Sequence, residues 1–131
     1  MLNAESLECA GFIPVSVAGP HGLDIDNETG RIFVACDGKA IVILDLKTEQ
    51  EVHKIPISGE PDVIWYNQEL HRLYCAISKP GLIDVVCTEK MSIAEHVKTE
   101  QGAHTLAFDN TLQQLYAFLP QSCRDAIYKE H

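Results

Sequence analysis

Three short segments of this 131-residue chain place a histidine or an aspartate at nearly equal intervals. They are Gly19-Pro20-His21-Gly22-Leu23, Glu60-Pro61-Asp62-Val63-Ile64 and Gly102-Ala103-His104-Thr105-Leu106. His21 and Asp62 are 41 residues apart, and Asp62 and His104 are 42 apart. Imidazole nitrogens and carboxylate oxygens suit a divalent transition metal or an anchored small molecule. Brought to a common rim, His21, Asp62 and His104 would form a candidate ligand or metal site. The plainer reading is that polar groups at such positions hydrate a channel or cap a turn. Asp24 and Trp65 lie on the same segments. Asp24 adds a carboxylate near the rim, and Trp65 either packs between repeated units or offers a stacking surface.

Catalytic templates are missing elsewhere. No G-x-S-x-G elbow, H-E-x-x-H pair or phosphate-binding glycine loop occurs. The five cysteines, Cys9, Cys36, Cys75, Cys87 and Cys123, follow no metal-ligand spacing. Cys36, Cys75 and Cys87 sit inside apolar runs and read as small core residues. An odd cysteine count with no basic n-region in Met1–Cys9 favours free thiols and a cytoplasmic setting. The net charge is −9 and the basic residues are scattered, which disfavours nucleic acid and anionic membrane as partners. No apolar stretch approaches the ~20 residues of a membrane-spanning helix.

The elements that would position the three rim residues are strands. After His21, Gly22–Asp26 alternates, Asn27–Gly30 turns, and Arg31–Cys36 is a second strand. Asp37-Gly38-Lys39 is a tight hairpin signal, Ala40–Leu46 a third strand and Glu51–Ile57 a fourth. The next unit repeats this with Val63–Asn67, Arg72–Ser78, Leu82–Thr88 and Ile93–Lys98. The last unit has Gln114–Leu119 and a strand near Cys123–Lys129, then lacks a fourth. The middle strands are almost continuously apolar, which predicts burial on both faces. Asp26, Asn67 and Asp109 precede the first turn of each unit and are expected to bond its backbone. His53, His71 and His96 fall on outer strands or turns and are expected to be solvated.

A four-stranded repeat in the low forties is the signature of a β-propeller blade. The predicted fold is all-β, with three blades of four antiparallel strands. Residues 1–18 supply an outer strand, 19–59 blade one, 60–101 blade two, and 102–131 three strands of blade three. Ile13-Pro14-Val15 matches Ile55-Pro56-Ile57, which makes the N-terminal segment an outer strand without its first three. A homodimer would close a six-bladed ring, each N-terminal strand completing the partner's third blade.

Gly19–Asp26 (GPHGLDID), Gly30–Ala35 (GRIFVA) and Ile41–Thr48 (IVILDLKT) resemble the YVTN-type propeller repeats, related to YncE-like proteins. The resemblance runs from about Cys9 onward. It implies a propeller scaffold, with members usually carrying about seven blades and often an export signal. Three functions follow for comparison. One is a non-enzymatic scaffold binding a ligand or protein at the channel mouth. Another is a metal-assisted lactonase or hydrolase using the His/Asp rim. The last is a truncated propeller remnant with a structural role only. Propeller lactonases use a Glu, Asn and Asp set around calcium, and only Asp62 and Asn67 offer themselves here.

Overall fold

The computed structural model describes residues 6–130. Eleven strands form three antiparallel sheets. Blade one is β1 (Pro20–Asp26), β2 (Arg31–Cys36), β3 (Ala40–Asp45) and β4 (Gln50–Pro56). Blade two is β5 (Pro61–Asn67), β6 (Arg72–Ile77), β7 (Leu82–Cys87) and β8 (Ser92–Lys98). Blade three has β9 (Leu106–Asp109), β10 (Gln114–Leu119) and β11 (Arg124–Lys129). Within each sheet the strands lie in chain order, so every connection is a hairpin. The strands expected after residue 18 are all present to within a few residues. β1 and β5 begin earlier than the alternation predicts, at Pro20 and Pro61, and each is irregular in its first pairs. Proline is tolerated there because the innermost strand of each sheet has one unpaired edge.

The sheets stack through their faces. Phe33, Ile41, Ile43, Ile55 and Ile57 of blade one meet Ile64, Tyr66, Leu73, Cys75, Ile77 and Val86 of blade two. Tyr74, Ala76, Ile83 and Val85 on the opposite face of blade two meet Leu106, Phe108, Leu115 and Ala117 of blade three. Blade two is therefore apolar on both sides, as its unbroken runs require. The Val, Leu, Ile and Phe side chains among them each contribute about 1.5–3 kcal/mol on full burial. Aromatic pairs bridge both junctions, Phe33 with Tyr66 at 5.0 Å between centroids and Tyr74 with Phe108 at 5.4 Å. Cys36 and Cys75 are buried as expected, and Cys87 is half-buried.

The expected N-terminal outer strand has no strand to pair with inside one chain. Residues 11–17 form no strand, and Met1–Glu5 lie outside the described residues. A strand exists through its partner, and the sheet that lacks a fourth member is blade three, beyond blade two. The segment nevertheless packs as an outer strand would. Ile13, Val15 and Val17 cover Val34, Cys36, Val42 and Leu44 on the free face of blade one. Ile13 and Val15 thereby repeat on blade one what Ile55 and Ile57 do on blade two. The Asp37 and Gly38 N–H groups donate to the Gly19 and Ala18 carbonyls at 2.9 and 3.0 Å. Ser16 donates from both backbone and hydroxyl to the Glu51 carboxylate.

Turn carboxylates behave as predicted. Asp26 accepts from the Glu28 and Thr29 N–H groups and the Thr29 hydroxyl, and Asp109 from Thr111 and Leu112. Asn67 accepts from Leu70 N–H. Burial alone pushes the Asp26 carboxyl upward, but bonds from Thr29, Tyr66 and Glu28 outweigh it and hold it below the usual value of 3.8. A depressed folded-state pKa adds stability above the unfolded value, and that stability is lost as pH falls through the folded value. Thr29→Val removes one of these bonds. It should cost about 1 kcal/mol in urea denaturation at pH 7 and close to nothing once Asp26 is protonated. An equal cost at both pH values would show that the Asp26 charge is not what Thr29 stabilises.

Candidate functional site

His21 and Asp62 are the second residues of β1 and β5, and His104 lies two residues before β9. β1 runs antiparallel to β2, so the entry to β1 and the β2–β3 hairpin meet at one end of the blade. That places His21 Nδ1 3.2 Å from an Asp37 carboxylate oxygen, and His21 Nε2 3.8 Å from Asp62. All three side chains are 41–50% exposed, so the cluster faces solvent. Gly22 permits the approach of β1 to β5: a Cβ there would clash with the Asp62 carbonyl oxygen. His104 belongs to the same row through its backbone, since its carbonyl accepts from Val63 N–H at 3.4 Å. Its imidazole is committed locally, with Nδ1 2.7 Å from the Gly102 carbonyl.

Two expected ligand residues have other duties. The Asp24 carboxylate accepts from Ile25 N–H at 2.8 Å and from Tyr66 N–H at 2.6 Å. It thereby satisfies a backbone donor on the unpaired edge of β5 and ties the two inner strands together. Trp65 is half-buried and packs at the junction of blades two and three. Its exposed part lines a groove of about 400 Å³ across the three inner strands, with Leu23, Ile25, Val63, Gln68 and Asn110.

Asp37 is the partner that sequence reasoning missed, because Asp37-Gly38-Lys39 is fully explained as a hairpin turn. Its signal was the antiparallel pairing, which folds residues 36–38 back onto residues 19–21. Among the described residues, no three His, Cys, Asp or Glu side chains are arranged to hold a metal ion. Within one chain, then, His21 and Asp62 come together and His104 does not join them as a third ligand.

A second cluster has the composition of a nucleophilic triad without its geometry. Ser58 follows β4, Asp84 is in β7 and His96 in β8. The fully buried Asp84 carboxylate accepts from Ser58 N–H at 2.7 Å and from the Ser58 hydroxyl at 2.8 Å. His96 Nδ1 lies 2.7 Å from the same carboxylate and 3.4 Å from the Ser58 hydroxyl. A triad needs the serine on one imidazole nitrogen and the carboxylate on the other. Here both use Nδ1 and the serine proton points at the aspartate, so the cluster is a latch between blades. The expectation that His96 is merely solvated is corrected: its ring is exposed, but its nitrogen is bound to buried Asp84. His71 is likewise engaged, with Nδ1 3.3 Å from the Tyr66 hydroxyl.

The phenols at the junctions are held neutral. Burial, followed by the neighbouring Asp26 carboxylate, pushes Tyr66 up to about 12. Tyr74 is raised further by burial and by Glu130, which it shares with Arg72.

No family model matches the sequence, and no curated protein matches it. Solved structures do match the fold. Hydrazine synthase of Kuenenia stuttgartiensis superposes with a TM-score of 0.73 at 11% identity, over 87% of this chain and 33% of that one. The WD40 repeats of RRP9 give 0.72 at 14%, over 91% and 41%. The β-propeller domain of Cps50 (Swd1) from Myceliophteria thermophila gives 0.68 at 11%, over 87% and 40%. The chain is thus three neighbouring blades of a β-propeller-type fold. It spans a third to about two fifths of the length of these structures.

Asp84→Ala tests the latch. It leaves two Ser58 donors at a blade junction without their acceptor, and should cost on the order of 2–3 kcal/mol in urea denaturation. His96→Ala, which removes an exposed ring, should cost under about 1 kcal/mol. Equal losses would place the stabilisation in the Asp–His pair rather than in the Ser58–Asp84 bonds.

Proposed function

We propose that this chain is a non-enzymatic propeller scaffold that binds a cationic or amphipathic ligand, or a basic protein segment, at the channel mouth. The observation that carries the reading is the His21–Asp37–Asp62 cluster. Three polar side chains from two blades converge and stay half-exposed at one end of the inner strands, and further along those strands lies a groove whose lining includes Val63 and Trp65. Two carboxylates on one rim, in a chain of net charge −9, favour a positively charged group there. The GPHGLDID, GRIFVA and IVILDLKT motifs support placement among the YVTN-type, YncE-like propellers. Five free thiols, two of them fully buried, support a reducing compartment such as the cytoplasm.

Trp65 is the single tryptophan, so its fluorescence reports occupancy of the groove. Titration with a panel of arylalkyl amines and short Lys/Arg peptides should shift its emission. Asp62→Asn and Asp37→Asn should each weaken binding by about fivefold, the value of one solvent-exposed charge pair at its upper end. Binding that is unchanged in both variants would overturn the mouth as the site. Metal-dependent turnover of an ester or lactone panel, abolished by His21→Ala, would overturn the non-enzymatic reading.

A further inference from the structure

The repeat assigns a direction to every side chain on a blade. Ile64 and Tyr66 of β5 face the preceding blade, as do Leu106 and Phe108 of β9. The equivalent positions in β1 are Leu23 and Ile25, and these are 65% and 37% exposed. Ala76 and Val85 face the following blade. Their equivalents in blade three are Phe118 and Ile127, which are 47% and 61% exposed. Several of the large apolar side chains left in water thus fall where the repeat demands a neighbour, on the outward faces of the two terminal blades.

The strand inventory is complementary in the same way. Residues 11–17 sit on blade one as the outer strand of a preceding blade. β11 has an unpaired edge where blades one and two carry β4 and β8. Beside that edge lies a groove of about 400 Å³ lined by Val85, Val97, Leu115, Ile127 and Tyr128. In blade two the corresponding space is filled by Ile93 of the outer strand, packed against the core it shares with blade one.

We infer that the occupant of both faces is a second copy of this chain. Phe118 and Ile127 of one copy pack against Leu23 and Ile25 of the other, twice about a two-fold axis. Residues 9–15 of each copy become the outer strand of the other's blade three. The register follows from the repeat. Ile55 pairs with Ile41 and His53 with Ile43 in blade one. Ile13 is accordingly opposite Asp125 of the other copy, and Gly11 opposite Ile127. The closed ring has six blades. This inference rests on the propeller fold and not on ligand binding at the mouth, and it is read by mass alone.

The test uses the whole 131-residue chain. Light scattering at tens of micromolar should give twice the 14.5 kDa of one chain. Phe118→Glu with Ile127→Glu alters side chains already exposed in one copy. That double variant should keep its circular dichroism, sediment as a monomer and weaken association at least a hundredfold. For the register, Gly11→Cys with Ile127→Cys, in a Cys9→Ser, Cys123→Ser background, should form a disulfide between copies under mild oxidation. A folded 14.5 kDa wild-type monomer would overturn the inference. So would a dimer indifferent to the glutamates, or one that cross-links only through other positions.

Discussion

A thin antiparallel sheet that is apolar on both faces is not a stable object. Its strands satisfy their own hydrogen bonds, but neither face can be left in water. Everything else in this chain follows from that constraint. Blade two is the one sheet covered on both sides by other blades. Blade one recruits the irregular segment 11–18 for its free face. Blade three is covered by blade two on one face only among the described residues, and its β11 side chains stand largely exposed. Burial is therefore greatest in the middle blade and least in the C-terminal one.

The two blade junctions meet this constraint with different polar chemistry. Asp84 stands at a position where blade one has Val42, so the repeat itself prefers an apolar residue there. The carboxylate is tolerable because three donors surround it, two of them from Ser58. At the second junction, Asn67 donates to Tyr74 and to Gln113, and Glu130 joins Tyr74 to Arg72. Both networks sit where a strand end of one blade meets the next. They add register to faces whose apolar contacts alone would permit sliding, since bonds of this kind lose their value with a shift of one residue.

The strands, hairpins and blade count were legible because each rests on local pattern. Ile32-Phe33-Val34-Ala35 and Ile41-Val42-Ile43-Leu44 announce burial on both faces without reference to anything distant. The turn-capping duty of Asp26 and Asp109 was legible for the same reason. What escaped depends on relations between segments. Residues 11–17 carry a strand-like sequence but have no edge to pair with inside this chain. Asp37 reads as a turn residue, and only the pairing of β1 with β2 brings it to His21. Asp24 reads as a rim carboxylate, while its oxygen is used by a backbone N–H of the next blade. His96 and Asp84 are twelve residues apart and become partners only through the pairing of β7 with β8. Local alternation carries none of these.

The same relational logic governs the mouth. His21 belongs to blade one, but the carboxylate near its Nε2 belongs to blade two. The next member, His104, touches blade two through its carbonyl. The contacts that link successive rim residues are thus made at blade junctions, while the His21–Asp37 pair lies within blade one. A site of this kind has no existence in an isolated repeat, and its composition changes at every junction: His with Asp, then Asp with His. In a ring closed by two copies the remaining junctions would set His104 of one chain beside His21 of the other. These are two imidazoles with no carboxylate of the repeat between them. The electrostatic pattern around the channel would then be uneven, acidic at His21–Asp37–Asp62 and imidazole-rich at the joins between copies. Selectivity for any ligand at such a mouth would be set by which junctions the ligand spans, and so by the assembly as much as by any one residue.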